Sequence, residues 1–296
     1  MTDIIIIGAG PAGMTAAIYS ARAGKSVIVF EKDAFGGQIS KTDKIENYPG
    51  IKSVNASEFS MSLYSQCKTF GAQFIQGEVS SVKKGNGSFV VTANGKDYEC
   101  KKVIFAPGAK PKKLGLENEE ELAANGISYC AVCDGALYKG LDTAVVGGGQ
   151  TAFQDALMLS ELCSKVYLIH RRDAFRADSS LVERVKKQDN IILLTDSIVT
   201  SAEGNGAIQS ITVKNTKTEE EKKLPISGLF VAIGYEPATK GFSDILPLDS
   251  EGFVECGEDC RLGENLYVCG DCRQKQYRQL TTAVSDGTTA ALSACE

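Results

Sequence analysis

The 296-residue chain carries 32 basic against 37 acidic residues and a single histidine. That balance leaves no excess positive charge for nucleic acid or an anionic membrane surface. No apolar run is long enough to cross a bilayer. The first apolar strand begins directly after Met1-Thr2, leaving no room for a signal peptide, so a cytoplasmic location is expected, with the ten cysteines mostly reduced.

Asp3 to Ile7 is a short apolar run with β-branched residues and reads as a buried strand. Gly8-Ala9-Gly10-Pro11-Ala12-Gly13 follows at once, and Met14, Ala17, Ile18 and Ala21 then recur at helical spacing. Gly24 ends that helix, Ser26 to Phe30 gives a second strand, and Glu31 closes it. The glycines serve different mechanical ends. Gly8 permits the tight turn, Gly10 lets the backbone come close to a pyrophosphate, and Gly13 lets helix pack on strand. Unpaired N–H groups and the helix dipole favour phosphate at the helix start. A carboxylate at position 31 suits the adenosine ribose hydroxyls. A polar stretch from Gln73 to Asn94, turning at Gly85-Asn86-Gly87, suits a small β-meander. It leads to the apolar string Val103-Ile104-Phe105-Ala106-Pro107-Gly108.

Cys130-Ala131-Val132-Cys133 comes next, with Asp134-Gly135 after it. Such a pair is half a zinc site or a redox couple. As a zinc site it lacks a second half, because the only histidine is His170. As a redox couple it needs a thiolate and a proton donor for the leaving sulfur, and Asp134 is the acid–base candidate.

The dinucleotide layout then repeats. Asp142 to Val146 reads as a strand, Gly147-Gly148-Gly149-Gln150-Thr151-Ala152 as the turn, and Phe153, Ala156, Leu157 and Ser160 as the helix. Val166 to Ile169 is the second strand. Counting 23 residues from Gly8 reaches Glu31, but 23 from Gly147 reaches His170, followed by Arg171, Arg172 and then Arg176. A carboxylate there would repel a 2′-phosphate, whereas guanidinium groups bind phosphate with forked hydrogen bonds, so this site should prefer NADPH over NADH. Ile191 to Val213, turning at Gly204-Asn205-Gly206, is a second candidate meander, and Leu229-Phe230-Val231-Ala232-Ile233-Gly234 a second closing string. Two nucleotide sites and one dithiol imply an electron relay from nicotinamide through flavin to disulfide.

Cys67, on a helical stripe with Phe59, Leu63 and Phe70, is expected in a core, and Cys100, Cys163 and Cys295 have similarly plain settings. Cys256, Cys260, Cys269 and Cys272 could be read as zinc thiolates. Their spacing makes a poor zinc knuckle, with a strand and turn between them, so no metal site is expected.

Cys130 to Gly135, Gly147 to Ala152 and His170-Arg171-Arg172-Asp173-Ala174-Phe175-Arg176-Ala177 resemble the low-molecular-weight, bacterial-type NADPH-dependent thioredoxin reductases. So do Gly36-Gly37-Gln38, Glu46-Asn47-Tyr48-Pro49-Gly50, Gly270-Asp271 and Tyr277-Arg278-Gln279. The likeness runs along essentially the whole chain. It implies a homodimer with one FAD per subunit and thioredoxin as the protein substrate. Cys133 would lie nearer the flavin, and Cys130 would attack the thioredoxin disulfide. Gly36, Gly37, Gln38, Asn47, Gly270, Asp271, Arg278 and Gln279 would join Gly8, Gly10, Pro11, Ala12, Gly13 and Glu31 at FAD. Gly147, Gly149, Gln150, Thr151, Ala152, His170, Arg171, Arg172 and Arg176 would serve NADPH. The dithiol and the nicotinamide would take turns at the flavin by rotation of the inserted domain.

Three residues depart from the usual pattern. Gln150 stands where Asn or Asp is more usual, which bears on contacts near the nicotinamide, Pro107 replaces a frequent Thr, and Cys272 follows Asp271. The fold class expected is α/β, with two Rossmann-like, three-layer ββα domains. Residues 1–112 and 242–296 would form the FAD domain, with the NADPH domain and its redox pair inserted at 113–241. Alternatives are a related flavin reductase that uses reduced ferredoxin or serves another dithiol carrier, and a flavin redox sensor without turnover.

Overall fold

The computed structural model describes residues 1–123 and 125–296. The chain divides into two compact units, one of residues 1–110 with 236–296 and the other of residues 111–235. The crossing segments, Ala109–Pro111 and Tyr235–Pro237, pair with each other as a short two-stranded sheet.

In the first unit the sheet runs Arg261–Gly263, Leu266–Val268, Lys96–Phe105, Thr2–Ile7, Val27–Glu31, Gln73–Gln76. All neighbours are parallel except the first pair. Alternation along the central strand sends its side chains to opposite faces. Ile4 and Ile6 pack with Met14, Ala17, Ala290 and Ala291 from the helices Pro11–Arg22 and Leu280–Cys295. Ile5 and Ile7 pack with Phe89 and Val91 from an antiparallel layer. Helices, parallel sheet and antiparallel strands therefore make three layers.

The second unit repeats the plan with five parallel strands in the order Ile127–Ser128, Gly228–Val231, Asp142–Val146, Lys165–Ile169, Ile191–Leu194. The helices Gln150–Ser160 and Ser179–Lys186 cover the face of Val145, Val166 and Leu168. The antiparallel strands Ser197–Gly204, Ile208–Asn215 and Glu221–Pro225 cover the face of Ala144, Val146 and Ile169 through Ala202, Ile211 and Leu224.

Two strands differ from the sequence reading. Gln73–Gln76 and Ile191–Leu194 are edge strands of the parallel sheets, pairing with Ile28–Glu31 and Val166–Ile169, and they stand outside the antiparallel layers. Each follows a helix, and a strand–helix–strand crossover returns the chain parallel to its start. Short alternating runs carry no mark of which neighbour they join. The turns at Gly85–Gly87 and Gly204–Gly206 do connect antiparallel strands. Phe70 leaves the expected apolar stripe: it caps its helix, 37% exposed, under the Arg22 guanidinium.

The four late cysteines divide between the two faces of the first unit's sheet. Cys260 and Cys269 lie on the helix side, Cys272 and Cys256 on the other, and all four are free thiols. Among the described residues no His/Cys/Asp/Glu group is arranged to hold a metal ion. Nor is any helix long and apolar enough to cross a membrane.

Candidate active site

In the first unit the glycine turn is forced by its neighbours. Gly8 has φ +107°, and a Cβ there would lie 2.2 Å from the Ala106 carbonyl oxygen. A Cβ on Gly13 would lie 1.9 Å from the Gly8 carbonyl oxygen, so only glycine lets the helix come this near. Pro11 occupies the first helical position, where a missing N–H costs nothing, and the first turn carries no acidic residue. Its free N–H groups are thus open to an anion. The Glu31 carboxylate accepts from the Ala9 N–H at 2.7 Å and the Asp33 N–H at 2.9 Å, which holds it against the turn.

Distant segments converge on this turn. The Gly36 N–H donates to the Ala9 carbonyl at 2.9 Å. A Cβ on Gly37 would stand 3.1 Å from the Gly10 Cα. Gln38 follows, half-buried in the same short helical turn. Asn47 donates to the Gln279 side chain at 3.3 Å. Gly270 has φ +83° and lies against Ala12, whose Cβ would be 2.9 Å from one built on Gly270. Arg278 donates to the carbonyls of Asp271, Lys275 and Arg273 and stacks on Phe253 at 4.2 Å. The Asp271 Oδ1 is buried and accepts no hydrogen bond. Burial pushes this carboxyl up, against the pull of the Lys275 and Arg278 charges. Its nearest donor is the Lys275 ammonium at 3.5 Å, which leaves this oxygen able to take the hydroxyl of a bound group.

In the second unit Gly147 adopts φ +157°, and its Cβ would meet the Ala232 carbonyl oxygen at 2.4 Å and the Ala152 methyl at 2.7 Å. Gly149 precedes the helix with open space around it, Gln150 is its first residue, and Thr151 is exposed. The segment after the second strand folds back over Gly148. The Gly148 carbonyl accepts the Arg176 N–H at 2.8 Å, and a Cβ on Gly148 would collide with the His170 ring at 2.1 Å. The half-buried His170 ring turns inward, with Nε2 3.2 Å from the Ala174 carbonyl and Phe175 beside it. Burial, and then the nearby Arg171, Arg172 and Arg176 charges, lower its pKa, so the ring is neutral at pH 7. Arg171, Arg172 and Arg176 are exposed. The cationic face of this loop thus comes from the arginines, and His170 is its internal support.

The dithiol is a disulfide between Cys130 and Cys133, with Cα atoms 5.3 Å apart. It opens the short helix Ala131–Asp134, directly after the edge strand that ends at Ser128. Cys130 is half-buried and Cys133 exposed. The Ser128 hydroxyl donates to the Asp134 carboxylate at 2.6 Å and accepts the Cys130 N–H at 3.1 Å, tying the acid and the Cys130 backbone to one group. Tyr129 is fixed at both ends: its hydroxyl donates to the buried Glu119 at 2.8 Å, and its carbonyl accepts from the Tyr235 hydroxyl at 3.3 Å. Burial and then Glu119 push the Tyr129 phenol well above its ordinary pKa, so it stays neutral. Glu119 also accepts the N–H groups of Leu114, Gly115 and Leu116. Sequence motifs single out neither Ser128 nor Glu119. Ser128 lies two residues before the Cys-x-x-Cys, a proximity that is a usable signal, whereas nothing local marks Glu119.

Two dinucleotide turns and a disulfide backed by an acid make up a disulfide oxidoreductase. Comparison with known proteins gives the same class. Residues 2–287 match the family described as pyridine nucleotide-disulphide oxidoreductase. The chain is 41% identical to the thioredoxin reductase of Bacillus subtilis, over 98% of this chain and 93% of that protein. It is 39% identical to that of Mycoplasma genitalium, with the same coverages. The crystal structure of thioredoxin reductase from Streptococcus pyogenes superposes with a TM-score of 0.93 at 38% identity, covering 99% of this chain and 97% of that one. The chain belongs to the pyridine nucleotide-disulphide oxidoreductases and, within them, to the thioredoxin reductases, flavoenzymes that couple a pyridine nucleotide to a redox-active disulfide.

Proposed function

We propose that the unit of residues 1–110 and 236–296 holds FAD, that the unit of residues 111–235 holds NADPH, and that the electrons pass to thioredoxin. The observation that carries this reading is the contrast at equivalent strand ends. Glu31 ends its strand with the carboxylate on the Ala9 N–H, as suits a ribose, while the exposed Arg171, Arg172 and Arg176 follow the equivalent strand, as suits a 2′-phosphate. The buried Asp271 Oδ1, which accepts no hydrogen bond, supports flavin in the first unit, since a ribityl hydroxyl would supply one. Bound flavin would take a hydride from NADPH and return the electron pair to a disulfide.

The protein's own groups do the rest. As in the family it resembles, Cys133 is the sulfur nearer the flavin and the one that takes the electrons. Opening the bond leaves Cys130 and Cys133 as a dithiol. Cys130 then attacks the thioredoxin disulfide to form a mixed disulfide, which Cys133 resolves, and the Cys130–Cys133 bond reforms as thioredoxin leaves with two thiols. Asp134, oriented by Ser128, supplies and recovers the proton at the sulfurs. The active form is a homodimer in the cytoplasm, where the eight other cysteines stay as the free thiols seen here.

The test is anaerobic reduction of the purified yellow protein followed by turnover. NADPH should bleach the flavin much faster than NADH, and thioredoxin should sustain NADPH oxidation. Cys133→Ser should trap thioredoxin as a stable mixed disulfide through Cys130, and Cys130→Ser should trap none. The opposite trapping pattern would reverse the two roles. Bleaching without sustained turnover on any thioredoxin would remove it as substrate.

A further inference from the structure

Asp286, on the helix Leu280–Cys295, belongs to none of the motifs described above, yet it touches the flavin-side turn directly. Its Oδ2 accepts the Gly270 N–H at 3.0 Å and lies 3.1 Å from the Lys275 ammonium. Its Oδ1 lies 2.9 Å from the Arg273 guanidinium. Lys275 also lies 3.5 Å from the buried Asp271 Oδ1. The side chains of Arg273, Lys275 and Asp286 are only 10%, 13% and 14% exposed. Two cations and two carboxylates thus share one shielded cluster, with the Arg278 charge beside Asp271.

The next residue, Gly287, is pressed on the other flavin-side segment. A Cβ there would lie 2.2 Å from the Ala12 carbonyl oxygen. Positions 286 and 287 therefore hold the Gly270–Asp271 turn by a charged hydrogen bond and the first turn of Pro11–Arg22 by contact.

We propose that Asp286 is a positioning residue of the flavin site. Its carboxylate fixes Gly270–Asp271 against Ala12 and balances the buried cations Arg273 and Lys275 beside the flavin. This rests on the reading that Asp271 faces the bound flavin. Loss of the Asp286 carboxylate makes the cluster one charge more positive, and loss of the Lys275 ammonium makes it one charge more negative. A positive environment favours the extra electron density of reduced flavin, and a negative one opposes it.

The experiment measures FAD affinity of the apoprotein and the flavin midpoint potential of the reconstituted protein. The variants are Asp286→Asn, Lys275→Met and Asp286→Asn combined with Lys275→Met, with Asp271→Asn as a control. Asp286→Asn should weaken FAD binding about tenfold or more, as loss of a charged hydrogen bond does. It should also move the potential upward. Lys275→Met should move it downward, and the double variant should return it toward wild type. A general loss of folding cannot produce opposite shifts, and Lys275→Met with the double variant carries the test should Asp286→Asn not fold. Shifts of the same sign, or unchanged affinity and potential, would overturn the proposal. Weakened FAD binding in Asp271→Asn beside wild-type behaviour in Asp286→Asn would overturn it while the flavin-site reading stood. Unchanged affinity in Asp271→Asn would remove both.

Discussion

The helix after the first glycine turn and the helix after the second start from the same backbone plan but seat themselves differently. At Gly13 there is no room for a methyl, whereas the equivalent Ala152 is fully buried with its methyl in place. The equivalent of the fully buried Ala16 is Asp155, and the equivalent of Pro11 is Gln150. At the end of the next strand Glu31 grips the turn directly, while His170 props a loop that carries three arginines. The closing strands differ as well. Lys96–Phe105 runs unbroken from the antiparallel layer into the parallel sheet, but in the second unit Glu221–Pro225 and Gly228–Val231 are separate strands. One backbone device therefore recurs in both units, the side chains at a few equivalent positions set how tightly it is packed, and on the proposed reading they also select the nucleotide.

The strongest way to break this contrast is to exchange the two helix seats. Gly13→Ala forces a methyl into the Gly8 carbonyl, and overpacking of this kind costs about 1–3 kcal/mol. Because the clash falls on the turn proposed to hold the flavin's phosphates, the variant should purify without flavin and with a lowered thermal midpoint. Ala152→Gly should cost about 2 kcal/mol, the helix penalty of glycine plus the loss of a buried methyl, and should keep its flavin. Full flavin occupancy in Gly13→Ala would show that the close seat is not needed for binding.

A second exchange concerns the strand ends. Arg171→Ala with Arg176→Ala should weaken NADPH binding by about 1.5–3 kcal/mol for each charged hydrogen bond lost to phosphate, with NADH nearly unaffected. Stopped-flow bleaching of the flavin by each nucleotide reads this directly. Equal losses for both nucleotides would move the arginines away from the 2′-phosphate.

What the chain shows of itself without coordinates depends on how local the cause is. The glycine turns, both βαβ units, Glu31 and the loop arginines are legible because each is fixed by residues within about one strand–helix–strand unit. The partners of Gln73–Gln76 and Ile191–Leu194 are not, because an alternating strand pairs according to topology. Register and the family resemblance place His170 with the arginines of the NADPH site. Its inward turn depends on the bare Gly148 beneath it and on Phe175 beside it. Ser128, Glu119 and Asp286 act through hydrogen bonds to groups set by the fold, and of these only Ser128 lies near a motif. The two crossings at residues 110–111 and 235–236 are likewise set by compactness.

Asp155 sharpens the comparison through pH. Burial pushes its carboxyl up to about 6 from an ordinary 3.8. In the unfolded chain it ionises near the ordinary value, so between about pH 4 and 6 the folded protein holds a proton that the unfolded one has released. Stability then falls as pH rises through that window, by at most about 3 kcal/mol, and the loss persists above it. Asp155→Asn should match wild type near pH 4 and exceed it at pH 8 in denaturant unfolding. A difference that does not change with pH would mean that Asp155 ionises without cost, and the contrast with Ala16 would be one of shape alone.

The smallest expected effect separates the first residues of the two helices. Pro11 starts its helix with a fixed φ and no N–H, and needs no partner. Gln150 starts its helix with an amide, and that amide is engaged away from the turn. Its Nε2 donates to the Asp178 carboxylate at 2.9 Å, and its Oε1 accepts the Asp178 N–H at 3.1 Å. Asp178 caps the helix Ser179–Lys186, just beyond the arginine loop, so this reciprocal pair anchors the far end of that loop to the start of Gln150–Ser160. The pair is exposed, and two such bonds are together worth about 1 kcal/mol. Gln150→Ala should therefore lower the unfolding free energy by that amount, read as a lower denaturant midpoint at unchanged slope, with the KM for NADPH within about twofold of wild type, since about 0.4 kcal/mol is all that such a change represents. A raised KM with an unmoved midpoint would reverse the assignment. The amide would then work at the nicotinamide, and the departure from Asn or Asp at this position would be a matter of nucleotide contact and not of loop support.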